Sequence, residues 1–175
     1  MHKGWGRGML VAGLLLISQQ AFSADNWVAA WGTSQQLMKP DRVIPAAQTP
    51  PAKVEKQTVR MVVRPTISGT QLRVSLSNSF GYGPVRVEAV QVARSAGEGG
   101  IQPGSGRPLT FGGRSAVVLP PGARISSDAV AFDVRAQVDI SVSLYLEADS
   151  GPTTSHPIGL RAAWIAPGNQ VAAGR

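Results

Sequence analysis

Asp139–Glu147 reads DISVSLYLE, and this stretch decides how the chain folds. Ile140, Val142, Leu144 and Leu146 alternate with Asp139, Ser141, Ser143 and Tyr145. A period of two is the pleat of a β-strand that turns one apolar face to a core. Other stretches repeat the pattern. In TVRMVVR, Val59, Met61 and Val63 share a face, and Arg60, Val62 and Arg64 share the other. QLRVSLSN sends Leu72, Val74 and Leu76 inward and Arg73, Ser75 and Ser77 outward. VRVEAVQVA and DAVAFDV behave alike, and short apolar runs at Val117–Leu119 and Trp164–Ala166 complete the set.

Gly and Pro punctuate these runs, as SGT, FGYGP, PGSGRP, FGG, LPPG and SGP. GEGGIQPGSG precedes no helix and lacks a lysine, so it reads as a flexible loop rather than a phosphate cradle. About ten short strands with turn signals between them predict an all-β fold. That is too many for one flat sheet, so the expected architecture is a two-sheet, jelly-roll-like β-sandwich.

The N-terminus reads differently. Lys3 and Arg7 precede an apolar run, Met9–Ile17, and Ala21 and Ser23 supply small residues for a cleavage site. That run is far shorter than the ~20 residues a membrane span needs. Residues 1–23 therefore read as a signal peptide cut after Ser23, and the protein as exported, periplasmic or extracellular. Residues 24–167 form the expected β-domain, and 168–175, rich in small and polar residues, read as a C-terminal linker or truncation point. Met38–Lys56, rich in Pro, Ala, Gln and charge, reads as a long loop.

Loss of Lys3 and Arg7 takes the formal net charge from +7 to +5. The arginines are scattered singly along strands, which argues against a nucleic-acid stripe and fits weak attraction to an anionic polysaccharide or an acidic partner. The chain has no cysteine, so thiolate metal sites, cysteine nucleophiles and lipid anchorage through cysteine are excluded. After the leader no run is long enough to cross a membrane as a helix.

Catalytic chemistry is sparse. His156 is the only histidine beyond the leader, and neither G-x-S-x-G nor G-D-S occurs. A serine triad needs a base and an orienting carboxylate beside the nucleophile. The pattern therefore names no catalytic residue, and His156 before Pro157 reads as packing at a loop end. With one histidine and no thiol, any ion would need oxygen ligands. No catalytic metal or cofactor is expected, and a structural calcium stays open. Trp27 and Trp31 are read as core plugs or interface residues ahead of sugar-stacking platforms. Asn78, Phe80 and Tyr82 mark the corner SNSFGYG; Asn78 suits a turn, and the two aromatics suggest an interface. Arg60, Arg64 and Arg73 could form a carboxylate-gripping cluster, although a solvated sheet face is the plainer reading.

Several ordered blocks carry a resemblance. WVAAWGTSQQ, TVRMVVRPTISGTQLRVSLSNSFGYGPVRVEAVQVA, GSGRPLTFGG, VVLPPGARISSDAV, VDISVSLYL and GPTTSHPIGLRAAWIAPGN span Trp27 to Asn169. Together they resemble the N-terminal β-rich region of secreted SGNH/GDSL-type hydrolases, which are esterase- or lipase-like. The resemblance implies a β-domain ahead of an α/β catalytic domain, the latter in cis or separately encoded. In that family a G-D-S serine, an oxyanion-stabilising Gly and Asn, and a late Asp-x-x-His do the chemistry. None of those blocks occurs here, so no catalytic residue carries over. The expectation is an accessory domain, a truncated or split product inactive alone. The alternative is a stand-alone exported module that binds carbohydrate or docks a partner.

Overall fold

The computed structural model describes residues 26–37, 51, 53–152, 154–156, 159 and 161–174. The leader, its cleavage point and most of the Met38–Lys56 loop lie outside the described residues. Among those described, the fold is all-β, with twelve short strands.

The first sheet has six strands. β12 (Ala163–Pro167), β1 (Gln57–Val63), β11 (Ile140–Leu146) and β5 (Ala89–Gly97) lie in that order, and β5 pairs along its far edge with both β7 (Arg107–Leu109) and β6 (Gly100–Ile101). β11 is central because both its neighbours run antiparallel to it with unbroken register, Val59 opposite Leu144 and Val142 opposite Val92. Opposing this sheet are three two-stranded ladders: β2 (Gly69–Leu72) with β10 (Val130–Val134), β3 (Ser75–Ser77) with β9 (Arg124–Ser126), and β4 (Val85–Val87) with β8 (Val117–Leu119). The first two ladders form one interrupted hairpin. At the break, Ser127 replaces a lost ladder partner: Val74 N donates to its Oγ at 3.1 Å, and its own N donates to Val74 O at 2.9 Å.

The core lies between these layers. Val90, Val92, Ile140, Val142 and Leu146 meet Leu76, Val87, Leu119, Phe132 and Val134. Val59, Val63, Leu72 and Val74 pack on its margin as the alternation predicts, whereas Met61 is exposed. GEGG is no loose loop. Glu98 (φ 45°) and Gly99 (φ 78°) form the two-residue turn of a tight hairpin, with Gly97 opposite Gly100. A Cβ on Gly99 would sit 2.9 Å from the Trp164 indole, so packing as well as φ demands glycine there.

The sheet's other face departs from the sequence reading. Thr58, Arg60, Ser141 and Ser143 alternate outward, yet all four are buried. Cross-strand pairing lines up Trp164, Arg60, Ser143 and Gln91 in one row across four strands. Residues 168–174 lie over this row. Thr58 Oγ1 donates to Gly168 O at 2.7 Å and accepts from Gln170 N at 2.8 Å. Gln91 Nε2 donates to Val171 O, and Ile101 N to Gly174 O. The segment expected to lead away as a linker is therefore fastened to the sheet through Gly174.

Arg60 makes the central fastening. Its Nε donates to Ser143 Oγ at 2.8 Å and its Nη1 to Gly99 O at 2.7 Å. Its Nη2 reaches the carbonyls of Gln170 (2.9 Å), Val171 (3.3 Å) and Ala173 (2.9 Å). Arg60→Ala removes every one of these donors and leaves buried acceptors unpaired, so about 3 kcal/mol of stability should be lost. Deleting residues 168–175 should cost a comparable amount. Arg64→Ala removes an exposed ion pair with Asp139 and should cost under about 1 kcal/mol. Urea unfolding of the three variants checks this; equal losses for Arg60→Ala and Arg64→Ala would contradict it.

Candidate functional site

The corner Asn78–Gly83 joins the β3–β9 ladder to the β4–β8 ladder, and Asn78 is its keystone. It is 2% exposed. Its Nδ2 donates to Gly83 O and Leu119 O, each at 2.9 Å. Its backbone N donates to Ala123 O, and its carbonyl accepts from Gly81 N and Gly122 N. A Cβ on Gly81 would lie 1.8 Å from Asn78 Oδ1, so no larger residue fits. Asn78 is thus a structural residue, committed on all sides to the corner it closes. Phe80 and Tyr82 point away from that framework, 41% and 73% exposed.

Residues 26–37 run as a strap over the outer side of the second layer. Ala30 O accepts from both Thr66 N and Thr66 Oγ1. Ser77 Oγ donates to Gln35 Oε1, and Gln36 pairs with Ser155 in an isolated antiparallel bridge. His156 Nδ1 lies 2.7 Å from Ser34 O, and Phe80 N donates to Thr154 Oγ1. His156 is exposed and through this contact ties two loops together. Among the described residues no serine hydroxyl or carboxylate bonds it. Trp27 and Trp31 lie on this strap and do not plug the core; they are 39% and 50% exposed. Strap and corner together leave Trp27, Trp31, Phe80 and Tyr82 uncovered around a scaffold of hydrogen bonds.

Arg60, Arg64 and Arg73 do not converge as a cluster: Arg60 and Arg64 go to separate partners at β1, and Arg73 lies between β2 and β3 in the other layer. Arg60 is buried among neutral acceptors, and burial lowers the pKa of its guanidinium. Arg64 clasps Asp139 in a two-point ion pair at 2.7 and 3.1 Å, and Arg161 joins at 2.8 Å. The Arg64 bond first, and Arg161 after it, hold the Asp139 carboxyl below its usual range. Arg73 lies 4.3 Å from the centroid of Trp27, a cation–π contact that orients the indole. Sequence reading missed the strap because its partners lie far away along the chain, at residues 66, 77, 155 and 156.

Carboxylates also hold local turns. Asp128 accepts from Thr110 Oγ1 at 2.6 Å and from the backbone N of Gly112 and Gly113. Among the described residues no group of three His, Cys, Asp or Glu side chains could hold a metal ion. No family model matches the chain, and neither does any curated protein.

Asn78→Ala strands two carbonyls and should cost about 2 kcal/mol, whereas Tyr82→Ala should stay within about 0.5 kcal/mol. Chemical denaturation separates the two; a neutral Asn78→Ala would remove the keystone role. The bond from Thr110, then those from Gly113 and Gly112, hold the Asp128 carboxyl below its ordinary value of 3.8. Its stabilising contribution is thus present above that value and is lost as pH falls through the lower, folded-state pKa. Melting temperature should fall on acidification below about pH 4, and Asp128→Asn should flatten that limb.

Proposed function

We propose that this chain is the N-terminal accessory β-domain of an exported SGNH/GDSL-type carboxylic ester hydrolase, without hydrolytic activity by itself. The observation that carries the reading is the set of exposed aromatics on strap and corner. Trp27, Trp31, Phe80 and Tyr82 stay exposed although the segments bearing them are fixed by hydrogen bonds. Exposed aromatics on a hydrogen-bonded framework suit an interface, where Trp, Tyr and Phe are enriched. The fitting partner is a catalytic α/β domain, in cis or separately encoded. Two of the stretches that resemble the family carry these aromatics: WVAAWGTSQQ holds Trp27 and Trp31, and SNSFGYG holds Phe80 and Tyr82.

The side chains support that reading: a serine hydrolase needs its base beside the nucleophile, and among the described residues no serine hydroxyl bonds His156, whose Nδ1 faces Ser34 O. Purified protein beginning at Ala24, with its β-sheet circular dichroism verified, should show no saturable turnover of p-nitrophenyl acetate or butyrate. Turnover abolished by a serine-directed inhibitor would overturn the inactivity. Reading the gene past the codon for Arg175 tests the family assignment directly: an in-frame G-D-S block is the expected result, and a stop codon with no such continuation counts against it.

A further inference from the structure

A groove of about 330 Å³ opens where the edges of the two layers separate. β7 and β10 form its walls. They are joined at one end, where Asp128 N donates to Thr110 O at 2.7 Å, and beyond that bond no ladder joins them among the described residues. Thr70, Arg94, Ser105, Arg107, Phe132 and Asp133 line the opening. This volume is in the range of small-ligand sites. A second cavity of about 230 Å³ beside Arg60 is a poorer candidate, because that guanidinium spends its donors on protein acceptors.

The groove has an excess of positive charge with one acceptor embedded in it. Asp133 Oδ2 accepts from Arg94 Nη2 at 2.7 Å and from Arg135 Nε at 3.0 Å. Arg107 has no carboxylate partner among the described residues. Its Nη1 donates to the carbonyls of Gly104 (3.1 Å) and Gly106 (2.7 Å), which fixes the side chain at the rim. Its Nε and Nη2 make no protein bond among the described residues. Two guanidinium groups thus hold one carboxylate, and Arg107, which lines the same groove, has donors aimed at no protein group.

These features select a chemistry. Unspent guanidinium donors favour a planar carboxylate, which they meet in a two-point geometry. Asp133, 57% exposed at its side chain, asks the ligand for hydroxyl donors. Sulfate brings no donor for Asp133, whereas a sugar acid carries hydroxyl donors beside its carboxylate. We propose that this groove binds a hexuronate unit of an acidic polysaccharide, its carboxylate on Arg107 and Arg94 and a ring hydroxyl on Asp133. The proposal does not depend on the catalytic-domain reading, since the groove lies on different strands from the strap and the corner.

Calorimetric titration of the purified chain with oligogalacturonate, its methyl ester and dextran sulfate, at fixed moderate salt, tests this. The acid oligomer should bind, and the neutral ester should bind about tenfold more weakly or worse. Arg107→Ala should weaken the acid oligomer to the same degree with an unchanged circular dichroism spectrum. Arg86→Ala, on β4 outside the groove, should leave binding unaltered. No binding of the acid oligomer would overturn the proposal. So would equal affinity for the ester, tighter binding of dextran sulfate, or equal losses from Arg107→Ala and Arg86→Ala, which mark unspecific attraction of polyanions. Esterase activity plays no part in the readout, so the two proposals can fail separately.

Discussion

The buried guanidinium of Arg60 is the constraint on which the first sheet depends. Taking a cation out of water is costly, and no carboxylate among the described residues neutralises this one. Its five hydrogen bonds to one hydroxyl and four carbonyls replace the lost hydration. They draw together β1, β11, the β5–β6 turn and residues 170–173. The sheet consequently has two covered faces, an apolar one toward the second layer and a polar one beneath the chain's C-terminal segment. Ser143 is buried for this reason, and Trp164 is held on Gly99.

The second layer obeys a different logic. It is broken into three short ladders, and side chains do at the breaks what backbone pairing does elsewhere. Ser127 bridges the gap between β2–β10 and β3–β9. Asn78 closes the corner toward β4–β8, and Asp128 pins the Gly112–Gly113 turn. These residues are consumed in holding the framework, and exposed side chains beside them stand on a hydrogen-bonded base. Phe80 and Tyr82 stand on the Asn78 corner, and Trp27 is steadied by Arg73. A rigid, uncovered aromatic surface loses little conformational entropy on docking, which is why such surfaces suit partner recognition.

In the two proposals the strap surface and the β7–β10 groove serve separate tasks. One is aromatic and nearly uncharged apart from Arg73, and suits a protein face. The other is basic with an embedded carboxylate, and suits a charged, hydroxylated ligand. A domain of this build could hold a catalytic partner on one surface while the other engages an acidic polymer. The net positive charge of the chain would favour the encounter with that polymer through its long-range field.

The sequence by itself determined most strands and many of their inward faces, although in TVRMVVR Met61 is exposed and Val62 buried. Alternation is a local property, so DISVSLYLE named Ile140, Val142 and Leu146 as core, and QLRVSLSN named Leu76, without any knowledge of their partners. It also offers only two histidines, His2 and His156, and no cysteine. Tertiary structure alone decided what covers the outward faces. Arg60 and Arg64 alternate identically in sequence, yet one is buried under residues 170–173 and the other clasps Asp139 at the surface. No local pattern separates them, because the difference comes from a segment more than a hundred residues away along the chain. The groove is likewise a product of topology: Arg94, Arg107 and Asp133 belong to three strands in two layers, and they meet only because β7 and β10 diverge beyond the Thr110–Asp128 bond.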